Sequence, residues 1–171
     1  MKIKGRNNYF LLVSRLSRFT SYKKVDLAVE AATILSIPLI IVGEGDINYY
    51  KKNAGPTVKF VGKVTDKKLA FYYKNCKALI FPALEDFGLS MVEAQAMGKP
   101  VIAFKGGGAL EIVKEGITGT FFDKQTVESL VKVLKNFDER RYNTKMSKEN
   151  AKRFSFSYFE KSLTEYILKV K

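Results

Sequence analysis

ALIFPALEDFGLSMVEAQAMGKPVIAF, residues Ala78–Phe104, reads as strand, loop, helix and strand. Its ends, Ala78–Pro82 and Pro100–Phe104, are short and almost continuously apolar, the pattern of strands covered on both faces of a parallel sheet. Between them Leu89, Val92 and Ala96 recur at helical spacing, which predicts a helix beginning near Phe87. A loop rich in glycine and carboxylate, Glu85-Asp86-Phe87-Gly88, separates the first strand from that helix.

The same alternation extends in both directions. Further strands are predicted at Tyr9–Ser14, Pro38–Gly43, Thr57–Val61 and Gly119–Phe122. Leu69, Tyr72, Tyr73 and Cys76 fall at i, i+3, i+4 and i+7, as do Val127, Leu130, Val131 and Leu134. Six strands alternating with helices give an α/β fold: a doubly wound, Rossmann-like parallel sheet with helices on both faces and right-handed crossovers. Residues 1–8 read as the remnant of a linker, 9–125 as the α/β core and 126–171 as a helical tail. That tail is predicted as helices ending near Asn136, spanning Glu139–Arg153 and spanning Ser157–Val170. The last carries Phe159, Leu163, Tyr166, Ile167 and Val170 on one face. The helical tail as a whole either packs back on the sheet or reaches towards another domain.

Composition narrows the possibilities. The 171 residues are 46% hydrophobic and 27% charged, the balance of a globular domain. No apolar run reaches the roughly 18 residues of a membrane-spanning helix, and the polar start lacks an apolar signal core. With no histidine and one cysteine, Ser-His-Asp triads, histidine metal sites and an internal disulfide framework are excluded within this chain. Cys76 sits at a core-facing helical position, and a lone thiol suits a reducing cytoplasm. The formal charge is +13, but it is carried mostly by scattered lysine. Recognition of nucleic acid leans on the arginine fork, so a nucleic-acid reader is disfavoured. The excess is either a solvated surface or an attraction for phosphorylated ligands or an anionic membrane face.

In an open α/β sheet, ligands bind at the carboxyl ends of the strands. Those ends carry Ser14 and Arg15 with Lys23 and Lys24 beyond; Gly43-Glu44-Gly45; Gly62-Lys63-Val64; Glu85 to Leu89; and Gly106-Gly107-Gly108. One rim thus gathers cations, glycines that let backbone amides approach a ligand, and two carboxylates, which suits an anionic ligand bearing hydroxyls, such as a sugar nucleotide. Each feature also has a plainer reading. Gly43-Glu44-Gly45 lacks the third glycine of a dinucleotide fingerprint and fits a simple turn. Residues 106–108 form either an amide nest for phosphate or a turn. Arg15 and Lys23 fit surface charges as well as ligand contacts. Ser90-x-x-Glu93 fits a capping box if the helix starts at Ser90; an earlier start turns Glu93 towards the strand ends.

Taken together, these residues carry a resemblance. The stretch Pro82–Ala103, with Glu85 and Glu93 eight positions apart, resembles the E-x7-E signature of retaining glycosyltransferases of family 4 (group 1), which have the two-domain GT-B fold. Val13-Ser14-Arg15-Leu16 with Lys23, Val42-Gly43-Glu44-Gly45, Phe60-Val61-Gly62, Gly107–Val113 and Glu115–Phe122 follow in the family's order, so the likeness spans about residues 9 to 168. The resemblance implies the donor-binding, C-terminal half of such an enzyme, with the acceptor-binding N-terminal half absent. It implies that Arg15 and Lys23 hold the donor diphosphate in place of a metal, that Glu85 contacts sugar hydroxyls, and that Glu93 contacts the ribose. It sets the amides of Phe87, Gly88 and Leu89 beside phosphate and sugar, Gly62, Lys63 and Val64 beside the base, and Ser14, Gly43 and Gly107 around the donor.

The family's common glycine after the lysine is Lys24 here, and the preceding loop is slightly long, so the cation is either Lys23 or Lys24. The stretch around Glu85 with Gly106–Glu111 looks most like mannosyltransferases of surface-polysaccharide assembly. GDP-mannose is therefore the favoured donor and a UDP-hexose the next, with a glycan or lipid-linked acceptor, no cofactor, and a place in the cytoplasm or at the inner membrane face. The alternative is a catalytically degenerate sugar-nucleotide-binding or regulatory module.

Overall fold

A computed structural model describes residues 8–19 and 21–170, so the linker reading of residues 1–8 lies almost wholly outside the described residues. Six strands, β1 Phe10–Val13, β2 Leu39–Val42, β3 Val58–Gly62, β4 Leu79–Phe81, β5 Val101–Phe104 and β6 Gly119–Phe122, form one parallel sheet in the order 3-2-1-4-5-6. Every predicted strand is present, within a residue or two of its predicted ends.

The continuous apolar runs arise because each strand supplies both faces. Phe10, Leu12, Leu39, Ile41, Ile80 and Ile102 enter one core cluster, while their neighbours Leu11, Ile40, Val42, Leu79, Val101 and Ala103 enter the other. The first face is covered by α1 (Val25–Ile34) and α6 (Val127–Lys135). Fully buried Ala28, Ala31 and Ala32 let α6 approach closely, and Leu130 and Leu134 fill the contact. The second face is covered by α3 (Asp66–Asn75), α4 (Leu89–Ala96) and the short α5 (Ala109–Ile112). A further short helix, α2, spans Ile47–Lys51.

This arrangement opens a crevice. From β1 the chain moves outward to β2 through a helix on one face; from β4 it moves the other way to β5 through a helix on the opposite face. Right-handed crossovers in opposite directions separate the two loops at the carboxyl ends of β1 and β4, where ligands of doubly wound sheets bind.

The tail departs from expectation. The single helix predicted over Glu139–Arg153 is two pieces: a 3-10 turn at Glu139–Arg141 and α7 at Thr144–Lys152. Tyr142 is extended, and Asn143 turns its side chain to accept from the amides of Lys145 and Met146, so a helix cap wins over continuation. The last helix, α8 (Phe156–Lys169), starts where Ser155 accepts from the Tyr158 amide. None of its residues is buried, and its apolar stripe stands in solvent, so it does not pack back on the sheet. At 14 residues it is also too short to cross a membrane, and among the described residues no helix is long and apolar enough to do so.

By contrast α7 is bound to the core by a buried polar network. Asn150 donates to Gln95 Oε1 and to the Ile112 carbonyl, both at 2.7 Å, and Gln95 donates to the same carbonyl at 3.0 Å. Buried groups of this kind are costly to leave unpaired. The expected outcome for Asn150→Ala is a loss of about 2 kcal/mol in urea unfolding, because Gln95 Oε1 loses its partner in a closed interior.

Candidate functional site

A cleft of about 640 Å³ lies at the crevice, walled by Val13 and Lys23 from the β1 side and by residues from Phe81 to Glu93 from the β4 side. Its floor is the start of α4. Gly88 holds that start at φ +87°, a left-handed conformation, and a Cβ there would lie 2.7 Å from both Met91 Cε and Phe81 Cζ. Only glycine lets the helix begin here, and no side chain caps it. The helix end that carries partial positive charge therefore opens on the cleft.

Because α4 begins at Leu89, Ser90 lies inside the helix and the capping-box reading of Glu93 is ruled out. Glu93 lines the cleft instead, and its Oε2 accepts a 2.7 Å hydrogen bond from the Tyr73 hydroxyl of α3. Tyr73 is buried, and burial first, with the adjacent Glu93 carboxylate, pushes its phenol well above the ordinary tyrosine range.

Across the cleft, a 3-10 turn at Ser21–Lys23 presents Lys23. Its Nζ donates to Glu85 Oε1 at 2.6 Å, with both side chains about four-fifths buried (19% and 22% exposed). The turn is tied to the β4 loop where the Leu84 amide donates to the Tyr22 carbonyl at 3.3 Å. Lys24, the alternative cation, does not line the cleft. It precedes α1 at φ +48°, the left-handed conformation that glycine adopts without strain, which accounts for the glycine common in the resembling family.

The glycine loop after β5 packs against the loop that carries Glu85. Gly108 donates its amide to the Glu85 carbonyl at 2.8 Å. A Cβ on Gly107 would meet that carbonyl oxygen, and one on Gly108 would meet the oxygens of Asp86 and Phe87. These residues are glycine because two loop backbones touch. Gly107 stands behind the Glu85 loop and does not line the cleft.

The loops after β1 and β2 meet in the same way. Cβ atoms on Gly43 and Gly45 would strike the carbonyls of Ser14 and Leu16, and Gly43 donates to the Gly62 carbonyl at 3.0 Å. Ser14 turns its hydroxyl to the Arg15 carbonyl at 2.9 Å. Arg15 is exposed at the rim, and its guanidinium has no ion pair or hydrogen bond among the described residues. At the end of β3, Gly62 has a left-handed φ of +71° facing open space; Lys63 pairs with Glu44 at 3.4 Å in solvent, and Val64 packs on the core.

The structure therefore brings Lys23, Glu85, Phe87, Gly88, Leu89 and Glu93 into one cleft. Ser14, Arg15, Gly43, Gly62, Lys63, Val64 and Gly107 lie outside its walls, on the flanking loops. Cys76 is fully buried, its thiol pushed up to about 12 by burial, and it belongs to the core as expected. Sequence reasoning missed Tyr73 and Tyr22. Tyr73 was readable only as a core position, because nothing in its spacing shows that its hydroxyl reaches the next helix.

The family profile "Glycosyl transferases group 1" matches residues 2–154, and the chain belongs to that family. A glycosyltransferase of unknown specificity from Methanocaldococcus jannaschii is 28% identical over 162 residues, 89% of this chain and 45% of that protein. A GDP-mannose-dependent alpha-mannosyltransferase of Corynebacterium glutamicum is 30% identical over 113 residues, 66% of this chain and 27% of its own length. Among solved structures, Anabaena HepE in complex with UDP and glucose superposes with a TM-score of 0.77 at 24% identity, covering 96% of this chain and 49% of that one. A glycosyltransferase of Rickettsia africae gives 0.83 at 23%, covering 99% and 49%. These likenesses establish the fold as one Rossmann-like half of a GT-B glycosyltransferase. The chain spans less than half the length of the curated relatives it matches.

The left-handed Lys24 gives a direct check on this geometry. Lys24→Gly is expected to raise stability by about 0.5 kcal/mol, because relief of roughly 1 kcal/mol of backbone strain exceeds the added entropy of the unfolded glycine. Thermal melts of the two proteins measure it, and a drop in melting temperature would contradict it.

Proposed function

We propose that this chain binds the nucleotide-diphosphate sugar of a retaining hexosyl transfer. The observation that carries the reading is the Lys23–Glu85 pair facing the uncapped start of α4 across one cleft. A diphosphate needs fixed positive charge, and Lys23, the amides of Phe87, Gly88 and Leu89 leading into α4, and Arg15 at the rim would supply it. A sugar needs hydroxyl acceptors, which Glu85 offers beside the phosphates. Glu93, about one turn into α4 on the cleft wall, would accept from the ribose, and the loop Gly62–Val64 would flank the base. Ser14, Gly43 and Gly107 would shape the flanking loops through their backbone packing.

In such a site the donor's anomeric C–O bond breaks and the electron pair stays on the departing diphosphate. Arg15 and Lys23 stabilise that charge, so no metal is assigned a role. Attack from the same face retains configuration, and the leaving phosphate oxygen takes the acceptor's proton. No histidine is needed in this half. GDP-mannose is the favoured donor, on the similarity to the C. glutamicum mannosyltransferase, and a UDP-hexose is next, on the similarity to HepE bound to UDP and glucose. The acceptor, a glycan or lipid-linked sugar of surface polysaccharide, would be held by a separate N-terminal half, so this chain alone would transfer slowly or not at all. A buried single cysteine and a lysine-rich surface fit a reducing cytoplasm and docking at an anionic membrane face.

The test is a thermal-shift panel with GDP, UDP, ADP and TDP. A nucleotide at 100 times its dissociation constant stabilises by about 2.7 kcal/mol, several degrees for a domain of this size. One nucleotide should stand out, and Arg15→Ala and Glu93→Ala should each weaken its effect. No shift with any nucleotide would overturn the reading.

A further inference from the structure

The two carboxylates of the cleft are held in different ways. Glu85 is fixed by a cation. Glu93 is exposed on α4, has no cation paired with it among the described residues, and is fixed by a single neutral donor, the Tyr73 hydroxyl at 2.7 Å. Tyr73 belongs to α3, its ring is 2% exposed, and it packs among Leu11, Leu79 and Ala94 of the second core cluster. Its hydroxyl is thus carried at the end of an immobile lever that starts in the core and stops at the cleft wall.

We infer that Tyr73 is a positioning residue for nucleoside recognition, orienting the Glu93 carboxylate so that Oε1 faces the cleft to accept from vicinal ribose hydroxyls; the inference rests on the reading of Glu93 as the ribose contact. The chemistry favours a phenol in this place. A free glutamate on an exposed helix turn samples several rotamers, and ordering it at the moment of binding weakens binding. A lysine in the same place would order it but would also compete as a donor and draw off its charge. A neutral hydroxyl occupies one oxygen and leaves the other, with its full acceptor strength, for the ligand. Since burial keeps the phenol protonated far above neutrality, the hydrogen bond is present wherever the protein is folded.

Tyr73→Phe removes the hydroxyl and keeps the ring that fills the core. The released carboxylate is already exposed to water, so no buried group is stranded, and the melting temperature without ligand should stay close to that of the parent. Binding is then measured by calorimetry with whichever nucleoside diphosphate the panel selects and with its 2′,3′-dideoxy form, for the parent, Tyr73→Phe, Glu93→Gln and the double variant. The parent should favour the ribose form by about tenfold or more, the range for a hydrogen bond to a charged group. Tyr73→Phe should lose most of that preference while binding the dideoxy form as the parent does, and the double variant should be no worse than either single one. A merely structural role for Tyr73 would weaken both ligands alike. If Tyr73→Phe keeps the preference that Glu93→Gln loses, the role of Tyr73 is overturned and that of Glu93 stands. If the parent shows no preference, the reading of Glu93 fails and the inference falls with it.

Discussion

One backbone contact holds the site together: the Gly108 amide on the Glu85 carbonyl, with Gly107 and Gly108 pressed against the carbonyls of residues 85–87. It braces the loop after β4 from the β5 side, while the Leu84–Tyr22 bond ties the same loop to the turn that carries Lys23. With it, Glu85 stands at a fixed height above the helix, within reach of Lys23. The glycines let two loops of the chain approach to a distance that any side chain would forbid. The same device recurs where Gly43 and Gly45 meet Ser14 and Leu16. Both crevice walls are thus loops braced by a neighbouring loop.

That bracing holds strong charges of opposite sign in place within a small domain. Lys23 and Glu85 neutralise one another at 2.6 Å in a half-closed setting where an unpaired charge would be costly. In the proposed reading, a diphosphate entering beside them would offer Lys23 a second anion and leave Glu85 able to accept from hydroxyls. The pair would then be a stored arrangement of opposite charges that an incoming sugar nucleotide divides between its phosphates and its sugar.

Much of this was legible in the sequence, and the rest was hidden for identifiable reasons. Apolar runs such as Leu39–Val42 are readable as strands because both faces of a parallel sheet are dry, and the E-x7-E spacing is readable because one loop and one helix fix it. The start of α4 was nearly right, but the choice between a capping box and a cleft-facing Glu93 turned on one residue of register, which Gly88 decides through its left-handed φ. The break at Tyr142–Asn143 went unread because the periodicity continues through it and only a side-chain cap interrupts it. The glycines at 107 and 108 were ambiguous since their partner, the carbonyls of residues 85–87, lies in a different loop. Tyr73 was invisible as a functional residue for the same reason: its ring obeys the core pattern and only its hydroxyl does anything else.

The most direct measurement compares a nucleoside diphosphate with its sugar-bearing form, by calorimetry, on the parent protein and on Glu85→Gln. If Lys23 and Glu85 divide the ligand between them, neutralising Glu85 frees Lys23, so the bare diphosphate binds several-fold more tightly while the extra affinity contributed by the sugar disappears. Equal weakening of both ligands, or no change in either, would show that the ion pair is only a structural tie and would contradict a donor site built around it.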